Sequence, residues 1–261
     1  MEKVKPKKAL GQHFLTDETV AARIAATIDC DPLLPVVEVG PGMGMLTKYL
    51  IDAQRDVTVI EVDDESVAYL KANYPALDGR IVEGDFLRLD LSRLADADGH
   101  LCVIGNYPYN ISSQIFFHIL DYKDNVTLCS GMLQREVAER IAAAEGSRTR
   151  GILSVLLQAW YDIEYLFTVS EGVFNPPPKV KSGVIRLRRN TVSDLGCDER
   201  LFKTVVKTTF GQRRKTIRNS LRSLIPPGVP LPDDKLLTLR PEQLTVDQFI
   251  QLTNLVSTLR Q

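Results

Sequence analysis

Val36-Val37-Glu38-Val39-Gly40-Pro41-Gly42-Met43-Gly44 is an apolar, β-branched run that breaks into three glycines and passes into a helix-like segment, Met45 to Ala53. It reads as strand, glycine turn, helix. Glycines at such a turn remove Cβ atoms where the backbone must bend sharply and let a ligand approach it, which is how open α/β sheets bind nucleotide-like groups beyond their strand ends. The spacing departs from a dinucleotide fingerprint. Gly-x-Gly-x-x-Gly or Ala would put its last small residue where this chain has Met45, and the third glycine comes one residue early, at Gly44.

Working outward, two more β-type runs end in acids. Asp56 to Glu61 places a carboxylate 21 residues after Gly40, and Arg80 to Asp85 places another, followed by Phe86. Glu61 at a strand end can accept hydrogen bonds from ribose hydroxyls, and Asp85 from the exocyclic amine of a cofactor adenine. Either acid alone would be a solvated loop carboxylate; acids after two successive strands downstream of a glycine loop fit a nucleoside site. A fourth apolar run, Leu101 to Ile104, enters Gly105-Asn106-Tyr107-Pro108-Tyr109-Asn110. Pro108 lacks an N–H and holds Tyr107 extended, so nearby carbonyls can face outward as fixed acceptors. An adenine amine needs such acceptors, because its lone pair is delocalised into the ring until the nitrogen pyramidalises. The Asn106 side-chain oxygen and a neighbouring carbonyl can hold its two N–H groups, with Tyr109 stacked on the base.

Length and charge bound the rest. The 261 residues suit one large α/β domain and a smaller one, and 44% apolar residues suffice for a core. Cys30, Cys102, Cys129 and Cys197 are widely spaced with no Cys-x-x-Cys pair, so neither a disulfide framework nor a metal site is expected, and the thiols read as reduced and cytoplasmic. Lys3, Lys5, Lys7 and Lys8 are followed by no signal-like apolar run, and no membrane-spanning stretch is found. The net charge of -1 conceals a split: residues 172–232 hold 13 Lys and Arg against 3 acids, a surplus of +10 that leaves -11 on the remainder. That asymmetry implies a basic surface facing a polyanion.

Downstream, Val126 to Leu133, Ile163 to Val169 and Gly183 to Arg188 read as strands. Glu136 to Ala144 and Ile152 to Tyr161 read as helices. Beyond Asn190 the pattern turns helical, over Glu199–Thr209, Thr216–Leu224, Asp233–Leu239 and Val246–Leu259, with proline-rich breaks between them. The expected organisation is a domain over 1–190 that carries the glycine loop and the Asn106 turn, and a small helical domain over 191–261 that carries the basic surface. In the latter, Arg213, Arg214, Lys215, Arg218 and Arg222 are positioned to neutralise phosphates without reading bases.

The motifs together carry a resemblance across nearly the whole chain. Glu38 to Gly44, with its acid inside the strand, resembles motif I of S-adenosylmethionine-dependent methyltransferases. Adding Leu10-Gly11-Gln12-His13-Phe14-Leu15, Glu61, Gly84-Asp85-Phe86, Asn106-Tyr107-Pro108-Tyr109, Phe174 to Val180 and Phe210 to Leu221, the chain resembles the ribosomal RNA small-subunit adenine dimethyltransferase family (KsgA type). The resemblance implies a Rossmann-like class I methyltransferase sheet with a small all-helical C-terminal domain, and S-adenosylmethionine as cofactor. It implies N6 dimethylation of two adjacent adenosines near the 3′ end of small-subunit ribosomal RNA, and a role in small-subunit biogenesis. The implied partner is an assembly intermediate of that subunit, met by a cytoplasmic monomer with no metal and no membrane. His13 and Leu15 then pack over the cofactor beside Gly40, Gly42, Glu61, Asp85 and Asn106, and Phe174 stacks on the target adenine opposite Tyr109, with Pro108 shaping the turn. Tyr107 stands where the family usually has Leu or Ile; because that position acts through its backbone, methyl transfer should survive while the floor of the adenine pocket changes. Rival readings are a large-subunit RNA adenine methyltransferase of the macrolide-resistance type, a DNA adenine methyltransferase, and a non-catalytic assembly factor. The Phe210–Leu221 block favours the small-subunit family, DNA enzymes more often carry two prolines after the Asn, and intact Gly40, Glu61 and Asn106 argue against loss of catalysis.

Overall fold

A computed structural model describes residues 4–7 and 10–260. The expected basic residues Lys3 and Lys8 lie outside them, as does Ala9. Nine strands and nine α-helices follow in order among the described residues: β1 (Phe14–Leu15), α1 (Glu18–Ala25), β2 (Val36–Val39), α2 (Thr47–Asp52), β3 (Val57–Glu61), α3 (Asp64–Asn73), β4 (Ile81–Glu83), β5 (Leu101–Asn106), α4 (Ser112–Asp121), β6 (Val126–Gln134), α5 (Arg135–Ile141), α6 (Ile152–Gln158), β7 (Tyr161–Val169), β8 (Phe174–Asn175), β9 (Ser182–Arg189), α7 (Glu199–Gly211), α8 (Ile217–Leu221) and α9 (Val246–Leu259).

Seven strands form one sheet in the order β4-β3-β2-β5-β6-β9-β7. The pairs β4–β3, β3–β2, β2–β5 and β5–β6 are parallel, whereas β9 runs antiparallel to β6. The chain thus winds outward from β2 in one direction and returns to its other side with β5, which is the doubly wound arrangement. All four residues of β2 are buried, Glu38 among them, as a central parallel strand covered on both faces requires. Register sets the site: Val39 lies opposite Ile60 and Gly105, and Glu61 opposite Glu83, so the carboxyl ends of β2, β3, β4 and β5 reach one edge together. The fold is the α/β, Rossmann-like doubly wound sheet that the resemblance implies.

The chain divides into two compact units. One comprises residues up to Ala138 with Asp162–Arg189; the other comprises Glu139–Tyr161 with the chain from Asn190 onward. In the second unit α7 is capped by Asp198, whose carboxylate accepts from Leu201 N, and α9 by a Thr245–Gln248 capping box. The helix expected over Asp233–Leu239 is a single 3-10 turn, Lys235–Thr238. Asp234 caps it at Leu236 N, and the chain bends away before Pro241, leaving too few residues to close α-helical hydrogen bonds. Thr216–Leu224 likewise splits into α8 and a 3-10 turn, Arg222–Leu224. No helix among the described residues is long and apolar enough to cross a membrane.

Candidate functional site

The strand ends open onto a cavity of about 340 Å³, walled by four separate stretches: Leu10–Phe14, Gly40 and Gly42, Glu61 with Gly84–Leu87, and Asn106–Ile111. The glycine loop provides its floor. Gly40 has φ +64°, and a Cβ there would project into space closed only by Pro108 at 4.0 Å. At Gly42, φ is +56° and a Cβ would strike the Phe14 ring at 2.8 Å, so these two positions admit backbone and ligand but no side chain.

Glu61 is 4% exposed and already engaged. Its Oε2 accepts from Gly42 N at 3.0 Å, and Oε1 from Val62 N at 2.9 Å and Asp63 N at 3.0 Å. The carboxylate therefore ties the glycine loop to the end of β3 while keeping a lone-pair site on Oε2 for a ligand. Burial raises its pKa, and the backbone donors pull against that rise. Asp85 lines the same wall and caps the following turn through Leu87 N at 3.0 Å. Phe86 beside it is buried edge-on to His118.

Asn106 ends β5 with its amide oriented. Its Nδ2 donates to the carbonyl oxygen of His13 at 3.0 Å, which assigns the other end of the amide, Oδ1, to the acceptor role. Among the described residues nothing donates to Oδ1. Pro108 and Tyr109 follow on the cavity wall, and Tyr109 is held at both ends. Its ring stacks on His13 at 5.5 Å, and its hydroxyl meets Ser182 Oγ.

Tyr107 turns its ring into the protein. It is 1% exposed, donates from its hydroxyl to Ser130 O at 2.8 Å, and packs edge-on against Phe116. Two glycines make the room: a Cβ on Gly105 would lie 2.9 Å from the ring and one on Gly131 2.6 Å. An aromatic fits here because its neighbours Gly105 on β5 and Gly131 on β6 have no side chains.

Two expected residues do not line the cavity. Leu15 and Phe174 are each 4% exposed and belong to the hydrophobic core. They face each other across the antiparallel pair β1–β8, whose register sets Leu15 opposite Phe174 and Phe14 opposite Asn175. Phe174 thus offers no open ring face to a base. The reason is the apolar burial of the ribbon's inner side, which no local pattern around the proline cluster reveals. The ribbon instead supports His13, whose Nδ1 meets Pro176 O at 2.8 Å.

The sequence also concealed a tether. Asp63, 2% exposed, accepts from Lys7 Nζ at 2.5 Å and from Gln12 Nε2 at 3.2 Å, while Lys7 N donates to Gln12 Oε1 at 2.8 Å. It straps the N-terminal stretch over the cavity. The only available signal was an acid two residues after Glu61.

In the second unit the five expected basic residues differ. Arg213 donates to Arg148 O and lies 3.8 Å from Glu242; Arg218 donates to Pro232 O at 2.8 Å and lies 3.8 Å from Asp233. Arg214, Lys215 and Arg222 are exposed.

Residues 3–257 match the family described as "Ribosomal RNA adenine dimethylase". The protein named "Ribosomal RNA small subunit methyltransferase A" of Parabacteroides distasonis is 64% identical over 97% of this chain and 94% of its own length. Its namesake from Bacteroides thetaiotaomicron is 62% identical over 98% and 96%. Among solved structures, a dimethyladenosine transferase from Plasmodium falciparum superposes with a TM-score of 0.79 at 21% identity, covering 94% of this chain and 98% of that one, which bears on the fold. The 23S rRNA methyltransferase ErmE gives 0.66 at 26% identity over 92% and 99%. With a family match over nearly the whole chain and relatives more than 60% identical along it, the chain belongs to the ribosomal RNA adenine dimethylase family.

Proposed function

We propose that the protein methylates the N6 amine of adenine in small-subunit ribosomal RNA, twice on each of two adjacent adenosines near the 3′ end, and so takes part in small-subunit biogenesis. The observation that carries the reading is the Asn106 amide, turned by the His13 carbonyl so that Oδ1 is the group left to accept. S-adenosylmethionine, when bound, supplies an electrophilic methyl on a sulfonium that leaves readily. Gly40 and Gly42 would let it lie against the backbone, Glu61 would accept from its ribose and Asp85 from its adenine amine, and His13 would close over it; all five residues line the cavity.

The remaining work belongs to the chain's acceptors. Asn106 Oδ1 and a carbonyl of the Asn106-Tyr107-Pro108 turn hold the target N–H groups as the nitrogen pyramidalises, which restores its lone pair. Asn106 is an acceptor and not a base; the proton released after transfer passes to solvent. Tyr109, fixed by His13 and Ser182, offers a flat face to a base taken out of its stack, an interaction worth about 1–3 kcal/mol. The unit containing α7 to α9 grips RNA phosphates, chiefly through Arg214, Lys215 and Arg222. The protein acts as a monomer in the cytoplasm, without a metal.

Incubating the protein and S-adenosylmethionine with small subunits that lack the modification, then mapping the RNA by mass spectrometry, tests this. Dimethyladenosine at two neighbouring positions is the expected result. Binding without any methylation would replace the reading by that of an assembly factor.

A further inference from the structure

Two thiols that the methylation chemistry does not use touch each other. Cys30 Sγ and Cys102 Sγ stand 2.8 Å apart although 72 positions separate them in the chain. That is about 0.8 Å more than a bonded sulfur pair. Cys30 is half-buried in the turn after α1, whereas Cys102 is fully buried near the start of β5.

The backbone around both sulfurs is held. Arg55 Nη1 donates to Cys30 O and Asp31 O, each at 3.0 Å, and Nη2 to Ile28 O at 2.6 Å. From the other side Asp29 pairs with Arg186 at 2.5 Å and Arg188 at 2.7 Å. Cys102 is clamped between Val36 of β2 and Leu128 of β6. The two sulfurs therefore meet by construction of the fold and not through a swinging loop.

Their chemistry is unequal. The hydrogen bond with Cys102 draws the Cys30 thiol down to about 7, assisted by the Arg55 guanidinium 3.9 Å away. The same hydrogen bond, with burial, pushes Cys102 up. The less buried member is thus the one inclined to ionise, and the buried one its protonated partner.

We propose that Cys30 and Cys102 form a peroxide-oxidisable pair that closes to an intrachain disulfide. The Cys30 thiolate attacks one oxygen of hydrogen peroxide; the O–O bond breaks, leaving Cys30 as a sulfenic acid, and the departing hydroxide takes up a proton as water. Cys102 sulfur then attacks Cys30 sulfur, the S–O bond breaks, and the leaving hydroxide carries off the Cys102 proton as a second water. The two thiols lose two electrons and peroxide gains them. The bond pins the turn after α1 to the amino end of β5, with Asn106 at the opposite end of that strand.

The test treats the reduced protein with hydrogen peroxide, then blocks remaining thiols with iodoacetamide in denaturant so that buried ones react, and maps peptides by mass spectrometry without reductant. A peptide pair joining Cys30 to Cys102 and lighter by two hydrogens is expected, with Cys129 and Cys197 alkylated, and dithiothreitol should restore both thiols. The melting temperature should rise by about 5 °C or more on oxidation and fall back on reduction. Cys30→Ser should show neither the cross-link nor the shift. Alkylation of both Cys30 and Cys102 after peroxide, Cys30 carried on to sulfinic acid, or bonds only between separate chains would overturn the proposal.

Discussion

At the scale of single residues, the site rests on two side chains whose free atoms are defined by what their other atoms already hold. Asn106 Nδ2 is spent on His13 O, so Asn106→Ala removes the acceptor and also frees a carbonyl of the strap. Methyl transfer in a single turnover should fall by about 2.7–4 kcal/mol, a hundred- to thousand-fold, while binding of small subunits changes little. With cofactor saturating and thermal unfolding as a control, near-normal turnover would remove Asn106 from the mechanism. Glu61 accepts three backbone N–H groups, two at Oε1 and one at Oε2. Glu61→Gln must turn its NH2 towards Gly42 N if its oxygen serves Val62 and Asp63, so both ligand and glycine loop lose an acceptor. Affinity for S-adenosylmethionine should drop by about 1–3 kcal/mol in calorimetry. Unchanged affinity would sink the assignment.

Elements bring together what residues alone cannot. The ribbon β1–β8 joins the Leu10–Leu15 motif to the Phe174–Val180 motif, and by doing so buries Leu15 and Phe174 while lifting His13 onto Tyr109. In the second unit, helix α8 and the turns around it divide the basic residues into engaged and exposed ones. Replacing Arg214, Lys215 and Arg222 with Ala should weaken RNA binding without altering cofactor affinity. The slope of log K against log salt should flatten by roughly 0.7–0.9 for each phosphate that is no longer neutralised. The pair Arg213 and Arg218, each beside a carboxylate, should contribute less to that slope. A slope untouched by the triple substitution would mean that this surface faces something other than RNA.

For the molecule as a whole, the buried acid of β2 couples stability to pH. Glu38 accepts from Thr47 Oγ1 at 2.7 Å, but burial dominates and, with the nearby Glu61 charge, raises it from 4.5 to about 8. Its folded pKa lies above its unfolded one, so the folded state holds the proton more tightly. The corresponding stability is fully present below pH 4.5 and is lost as pH rises through about 8. Glu38→Gln keeps an acceptor for Thr47 and cannot ionise. Relative to that variant, the unmutated protein should lose about 1.4 kcal/mol per pH unit across this window. Denaturant titrations at several pH values would show diverging stabilities; parallel curves would mean that Glu38 is ionised in the fold.

Much of this was legible in the chain because it is written locally. The β-branched and apolar runs specify β2, β3 and β5, the glycines specify the turn after β2, and α9 follows from its helical pattern over Val246–Leu259. Glu61, Asp85 and Asn106 could be placed at one edge because successive parallel strands end in register. Tertiary structure alone decided which atoms are free: the turn of the Asn106 amide, the burial of Phe174, the strap of Lys7 and Gln12 on Asp63, and the meeting of Cys30 with Cys102. Each of these is a hydrogen bond, a close approach or a desolvation between residues far apart in the chain. Its energy depends on neighbours that no window of sequence contains.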